Sequence, residues 1–520
     1  MSAPAATGAE PGARRVRAVA LAMTGAAVLL GGLAGHLVAV GAGVAVLGLA
    51  FVAIPAALWR WPYLAPAFLV SCAVMVEQFA AVPPANESVS PTALAPVDPP
   101  IAPPPLTAHI PLFHGLGGLH VAPADLVLIL VCFVALARTP DRSRTRTAIW
   151  YSLLGLMGAV AWGAALGILH HGDIRVAFME MRPFVYVVAT YLLASTLVKD
   201  RRALRAVLWT LVVCVALKAA QGLLIFVQVR HMSPRPESVL GHEESFLFAL
   251  LAFLVLAMWL WRVECGRLRA TATALLPVVA LADLANDRRA AWLVLGGGLL
   301  TIVAIGLKAL PERRIVLWRG LAVALVVSAV YLPAYWNKTG GLAQPARALR
   351  SMIAPDPRDA LSDLYRVQEN ANLKVNIREN DGIGNGFGVP IEYTLPITDI
   401  SGIDPMIEYI PHNGVLYILM RMGLIGGVAF WSFVAAGIVT AVRAARSIDR
   451  EVAVVGAMVA AAMVAYTLMG AVDQAFFFYR IAFVVGTLLG VVDGVVPRSA
   501  RTTLYRGQRR TRSGATLLRL

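Results

Sequence analysis

His412 opens an apolar run in Pro411-His412-Asn413-Gly414, and ten residues separate it from Gly423 of Gly423-Leu-Ile-Gly426-Gly427. An imidazole, with an ordinary pKa of about 6.5, can take a proton from a hydroxyl near neutral pH. The plain alternative is a histidine that begins a helix and bonds a backbone carbonyl. A second pattern is Asn286-Asp287-Arg288-Arg289-Ala-Ala-Trp292-Leu293. Paired guanidinium groups suit planar, multidentate contact with phosphate; pairing of Asp287 with either arginine is the competing account. A third is Lys218, in the middle of an apolar block and followed by Gln221. A charge at mid-membrane costs about 2.5–3.5 kcal/mol on insertion scales, so it marks a functional position unless it snorkels or bonds a neighbouring helix.

Further polar groups lie in His170-His171-Gly-Asp173-Ile-Arg175 with Glu180-Met-Arg182, and in Arg230-His231 through Arg235 to Gly241-His242-Glu243-Glu244. Their spacing carries no zinc signature, so no metal is expected. Arg175, Arg182, Arg235, Arg288, Arg289, Arg366 and Arg378 all fall in links assigned below to one face. Such a concentration suits a lipid-linked phosphate or diphosphate headgroup, against interfacial snorkelling and helical pairs such as Arg366 with Asp363 or Glu369. Asp404 and Glu408 are carboxylates close before His412 that could serve as reserve bases.

The elements that must position these groups follow from composition. Of 520 residues, 58% are hydrophobic and 14% charged, with a mean hydropathy of +0.71. A soluble chain carries about 25% charged residues, so a cytosolic enzyme and a disordered scaffold are both excluded. Apolar blocks of about 20 residues cross a bilayer as helices, and the fold class is an all-α integral membrane protein. About fourteen spans (12–14) are expected: 19–38, 40–58, 63–82, 122–138, 149–169, 183–198, 206–228, 245–261, 270–285, 289–307, 315–333, 415–442, 451–470 and 475–496.

The net charge of +15 could signal a nucleic-acid partner, but its placement argues for topology. Basic groups crowd Arg14–Arg17, then alternate links (138–146, 199–205, 262–269, 308–319, 443–450) and the tail 497–520, the pattern of cytoplasmic segments. The N-terminal segment 1–18, which leads into an uncleaved first helix, and the tail are then both cytoplasmic, and no nucleic acid is involved. None of the four cysteines falls in an outer link, so no disulfide framework is implied. Within the region 19–333, the Pro-rich link 83–121 reads as an extended outer loop. The outer loop 334–414 is too long to be structureless and should fold. Inside it a helix is expected from Asp356 to about Asn380, with Leu361, Leu364, Tyr365, Ala371 and Val375 as its apolar face. The turn Gly382-Ile-Gly384-Asn-Gly386-Phe-Gly388 ends it, and 415–496 returns to the membrane.

These motifs resemble the O-antigen ligase and polymerase family of membrane glycosyltransferases. Its ligases carry Arg, three residues, then Leu, as in Arg289-Ala-Ala-Trp-Leu293, and His, ten residues, then Gly, as in His412 to Gly423. A large outer loop separates the two motifs, ending in an Arg-bearing helix and a glycine turn, similar to Tyr365-Arg366 through Gly388. Gly241-His242-Glu243-Glu244-Ser245 is similar to the family's Gly-x-x-x-Asn, with Ser245 in place of Asn. The likeness covers about 205–440. It implies transfer of a glycan, without metal or other cofactor, from a polyprenyl-diphosphate carrier to a sugar hydroxyl on a glycan or glycolipid acceptor. The implied setting is the extracytoplasmic face of a bacterial inner membrane, with the lipid bilayer holding the prenyl tail. His412 would be base or acceptor-positioning group and Arg289 the diphosphate ligand. Arg288, Arg366, Arg378, Arg235, Lys218, His242 and Glu408 would assist in substrate binding. A multi-pass transporter or flippase for a lipid-linked or anionic envelope precursor is the alternative, suggested by Lys218 and the many helices.

Overall fold

The computed structural model describes residues 53–78, 121–137, 147–232, 236, 238–263, 266–338, 340–398 and 406–495, with isolated positions between 103 and 113. Among the described residues there are helices and turns and no strands. After a helical segment at 53–60 come α1 (Ala65–Met75), α2 (Pro123–Ala137), α3 (Ala148–Leu169), α4 (Ile174–Leu197), α5 (Arg201–Val229), α6 (Glu243–Leu260) and α7 (Gly266–Asn286). They are followed by α8 (Arg289–Ala309), α9 (Arg314–Tyr335), α10 (Gln344–Ser351), α11 (Pro357–Glu379), α12 (Gly414–Ala444), α13 (Arg450–Val472) and α14 (Tyr479–Val495). Nine of the described helices are long and apolar enough to cross a membrane; α1, α2 and α14, at 11, 15 and 17 residues, are shorter. These twelve fall on twelve of the expected spans. The span 19–38, most of 40–58, nearly all of the Pro-rich link and the basic tail lie outside the described residues.

Local chemistry starts the helices where it should. Thr147, Asp173, Asp200, Asn413 and Asp449 each accept a backbone N–H of the first turn that follows, a cap worth about 1 kcal/mol. One expectation needs correction here. Helix α4 begins at Ile174, nine residues before the expected span, so the link after α3 is only 170–173. The charges that argued for a longer link are taken up inside the protein: Glu180 by Arg421 and Arg182 by Asp125.

Helix α13 lies at the centre, with 83% of its apolar window buried, and α9 at the periphery, with 6%. The tightest approach is between α4 and α14. There Gly486, Gly490 and Gly494 form a small-xxx-small stripe, the device that lets membrane helices meet backbone to backbone. A Cβ at Gly486 would stand 2.4 Å from Val187 O, and one at Gly490 2.5 Å from Tyr191 O.

The links sort to two ends of the bundle. At one end Arg201 pairs with Asp449 at 2.9 Å, Arg205 pairs with Glu451, and the Trp261 indole donates to Ala445 O. At the other end lie 170–173, the described parts of 230–242, 287–288, the described parts of 336–413 with α10 and α11, and 473–478. Contacts such as His242–Asp473, Arg289–Asp363 and Asp173 N–H to Gly388 O join them.

Candidate functional site

The site is framed by a turn that only glycine could make. In 382–388, Gly382, Gly384, Gly386 and Gly388 all have positive φ, and the turn is wedged between α3 and α12. Phe387, fully buried, donates its N–H to Gly163 O, while Asn385 and Gly386 donate theirs to the carbonyls of Met420 and Arg421. Helix α12 breaks to receive it. Gly423 sits at φ 63°, ψ −161°, and any Cβ there would lie 2.1 Å from Ile383 O. Arg421, buried within α12, fastens the assembly: it pairs with Glu180 at 2.8 Å and donates to the carbonyls of Gly386, Val389 and Tyr409. The interval from His412 to Gly423 is therefore the length of helix between a polar mouth and the seat of this turn.

At that mouth, His412 meets α11. Its Nδ1 lies 3.1 Å from Glu369 Oε1, and its own backbone N–H donates to Glu369 Oε2 at 3.1 Å. Glu369 is fully buried, whereas the imidazole keeps 21% exposure. With Nδ1–H donated to the carboxylate, Nε2 is left as the free basic nitrogen. Tyr365, one helical turn before Glu369, packs edge-on against the ring at 5.6 Å. Burial alone would lower the His412 pKa, but the hydrogen bond and charge of Glu369 outweigh it and raise it above 6.5. A second histidine–carboxylate pair adjoins the first: His242 Nδ1 lies 2.7 Å from Asp473 Oδ2. Burial would raise the Asp473 carboxyl, yet the charge and hydrogen bond of His242 hold it well below the usual carboxylate range. Arg366 acts electrostatically on both His412 and Asp473, and no described carboxylate pairs with it.

The remaining expected residues are partly gathered here and partly not. Arg289 is half-exposed at the start of α8 and held by α11, with Asp363 at 3.2 Å and Asp359 at 3.6 Å. Asp363 and Glu369 are six residues apart, so the contacts to Arg289 and His412 lie about 9 Å apart along one helix. Asp287 pairs with Arg347 of α10 rather than with its neighbours, and Arg288 donates to Ser238 Oγ at 2.6 Å. Asp363 and Glu369, the helical partners that the alternative reading offers Arg366, are thus engaged elsewhere. Arg378 is exposed in the last turn of α11, about 18 Å along the helix from Arg366. The Glu408 side chain is exposed while its carbonyl accepts from Ile391 N–H. Arg235 and Asp404 lie outside the described residues. Lys218 is fully buried and paired with Glu77 and, at 3.7 Å, Glu244, so it faces a cluster inside the bundle and not the mouth.

Sequence reasoning did not assign Glu369 to His412, nor single out Asp473 at all. Glu369 lies 43 residues before His412 and Asp473 lies 231 residues after His242, and no short-range pattern spans such gaps. The helical face read for α11 is also corrected. Leu361 and Leu364 are exposed, Tyr365 is buried as expected, and beside it the buried face carries Glu369, Asn372, Leu373 and Asn376. These asparagines are occupied: Asn372 binds the backbone N–H and C=O of Leu395, and Asn376 those of Glu392. Compared with known proteins, the chain matches no protein-family model and no curated protein.

Proposed function

We propose that the protein is a membrane glycosyltransferase that moves a glycan from a polyprenyl-diphosphate carrier to a sugar hydroxyl at this mouth. The observation that carries the reading is the juxtaposition of a carboxylate-held histidine with Arg366, which forms no ion pair with a carboxylate among the described residues. His412 Nε2 takes the proton of the acceptor hydroxyl as its oxygen bonds the anomeric carbon. The anomeric bond to the carrier breaks in the same step, and the diphosphate leaves with its charge. Glu369 stabilises the imidazolium that forms, and Arg366, with Arg289 behind it, meets the developing phosphate charge. The resemblance of the Arg289 and His412 motifs to the ligases and polymerases supports this chemistry. Under the positive-inside rule, the Arg201–Asp449 end is cytoplasmic and the mouth extracytoplasmic.

The test is carrier turnover by the purified full chain, given a polyprenyl-diphosphate glycan and a crude envelope acceptor fraction. His412→Ala and Arg366→Ala are each expected to cut carrier release by roughly 10²-fold or more; release at wild-type rates in both would contradict the reading. Transport is the second reading, favoured by the buried charges around Lys218. Donor accumulation in sealed vesicles without carrier release would support it instead.

A further inference from the structure

Below the mouth, and independent of the transfer reading, five ionisable groups meet inside the bundle. Glu77 follows α1, Lys218 lies on α5, Glu243 and Glu244 open α6, and Arg480 opens α14. Lys218, Glu244 and Arg480 are fully buried and Glu243 nearly so. Three carboxyl groups here face two cations. Lys218 is committed to Glu77, whose Oε1 also accepts from Thr107. Glu243 and Glu244 share one nitrogen, Arg480 Nη1 donating to Glu243 Oε1 at 3.0 Å and Glu244 Oε1 at 2.5 Å, and Lys218 reaches Glu244 only at 3.7 Å. The rest of that guanidinium is taken by the carbonyls of Ala73 and Val74.

The start of α6 supplies about half a positive charge more, which does not balance a second buried carboxylate. The other oxygen of Glu244 is buried without a hydrogen-bond partner. It lies 3.0 Å, and Glu243 Oε2 2.7 Å, from the single point where a Cβ on Gly241 would stand. Both oxygens thus lie within 3.0 Å of a point that Gly241 leaves open, and each carboxylate disfavours ionisation of the other in a low-dielectric site. Beyond Lys218 and Arg480, the neighbouring charged groups are acids engaged elsewhere, Asp283 on α7 by Ser245 and Asp473 after α13 by His242.

We infer that the Glu243–Glu244 pair is a proton-binding site, holding one proton when the protein is folded at neutral pH. The pair then carries a single negative charge against Arg480, and the five-group cluster is neutral. Gly241 is exposed and His242 half-exposed at the mouth, so the proton has a short route to water.

Infrared difference spectroscopy of the full chain in lipid nanodiscs at neutral pH tests this. Glu243→Gln and Glu244→Gln are each compared with wild type, and Asp283→Asn marks any separate contribution from that acid. The expected result is that either glutamine variant loses one protonated-carboxyl C=O band, which shifts in deuterated buffer, and loses no carboxylate band. Loss of a carboxylate band with the protonated band intact would overturn the assignment, as it would if a metal cation occupied the site. Because glutamine is the neutral isostere of the protonated acid, both variants should fold in wild-type yield. Failure of both to fold would count equally against it.

Discussion

Glu369 acts on His412 in two ways, and they pull in opposite directions with pH. The hydrogen bond raises the folded-state pKa of the imidazole above 6.5. Its contribution to stability is therefore complete below the unfolded pKa and fades as pH rises through the folded value. In the proposed transfer the base is the neutral imidazole, so activity would run the other way, climbing as pH rises through that same raised pKa. Glu369→Gln keeps a hydrogen-bonding group in place but removes the charge. It is expected to lower kcat by at least roughly 10-fold while leaving the donor KM within about twofold, and to move the acid limb of the rate profile downward. Steady-state carrier release across pH checks both; an unchanged acid limb would mean that Glu369 does not act through His412. Neither effect could be read from the residues alone. His412 stood out by its place before an apolar run, whereas Glu369 became visible only when α11 laid it against the ring.

Helix α11 is the element that makes the site. Its Asp359 and Asp363 hold Arg289, its Glu369 holds His412, and its Asn372 and Asn376 grip the chain at 392–395. The periodicity of Leu361, Leu364 and Tyr365 gives the helix almost to the residue, and of the three only Tyr365 is on the buried side. The buried face is mixed: Leu373 joins the apolar core, while Glu369, Asn372 and Asn376 meet histidine and backbone. The pairs to Arg289 are partly exposed, and such pairs stabilise by about 0–1 kcal/mol, so they can yield to a competing anion. Asp359→Asn with Asp363→Asn is expected to leave thermal stability nearly unchanged and lower the donor KM several-fold, as measured by donor titration of carrier release. A raised KM would show instead that the carboxylates position Arg289. The glycine turn was legible as a turn, but not as a wedge, because its partners Gly163, Gly167 and Gly423 come from other helices. Gly423→Ala forces a side chain into a left-handed conformation costing about 1–2 kcal/mol, on top of the overlap with Ile383 O. A markedly lower melting temperature in detergent is expected; an unchanged one would mean that the turn seats elsewhere.

Across the whole molecule, alternating basic links in the sequence predict two ends, and among the described residues the contacts Arg201–Asp449 and Trp261–Ala445 O gather three of those links at one end. What composition could not supply is which helices are central, since α9 and α13 are equally apolar in sequence and opposite in burial. Sidedness can be read in cells. With Cys72, Cys132, Cys214 and Cys265 replaced by alanine, Leu395→Cys at the mouth should react with a membrane-impermeant thiol reagent, and Ile448→Cys at the far end only after lysis. Both side chains are exposed, so the reverse pattern would invert the assigned topology. Everything argued of the mouth depends on its carrying out transfer, and the pH profile of polyprenyl-diphosphate release by wild type, Glu369→Gln and His412→Ala tests that most directly. The account predicts release by wild type along a single acid limb above pH 6.5, a limb displaced downward in Glu369→Gln, and near-complete loss in His412→Ala. Acceptor-dependent release that persists in His412→Ala with an unaltered profile would contradict it.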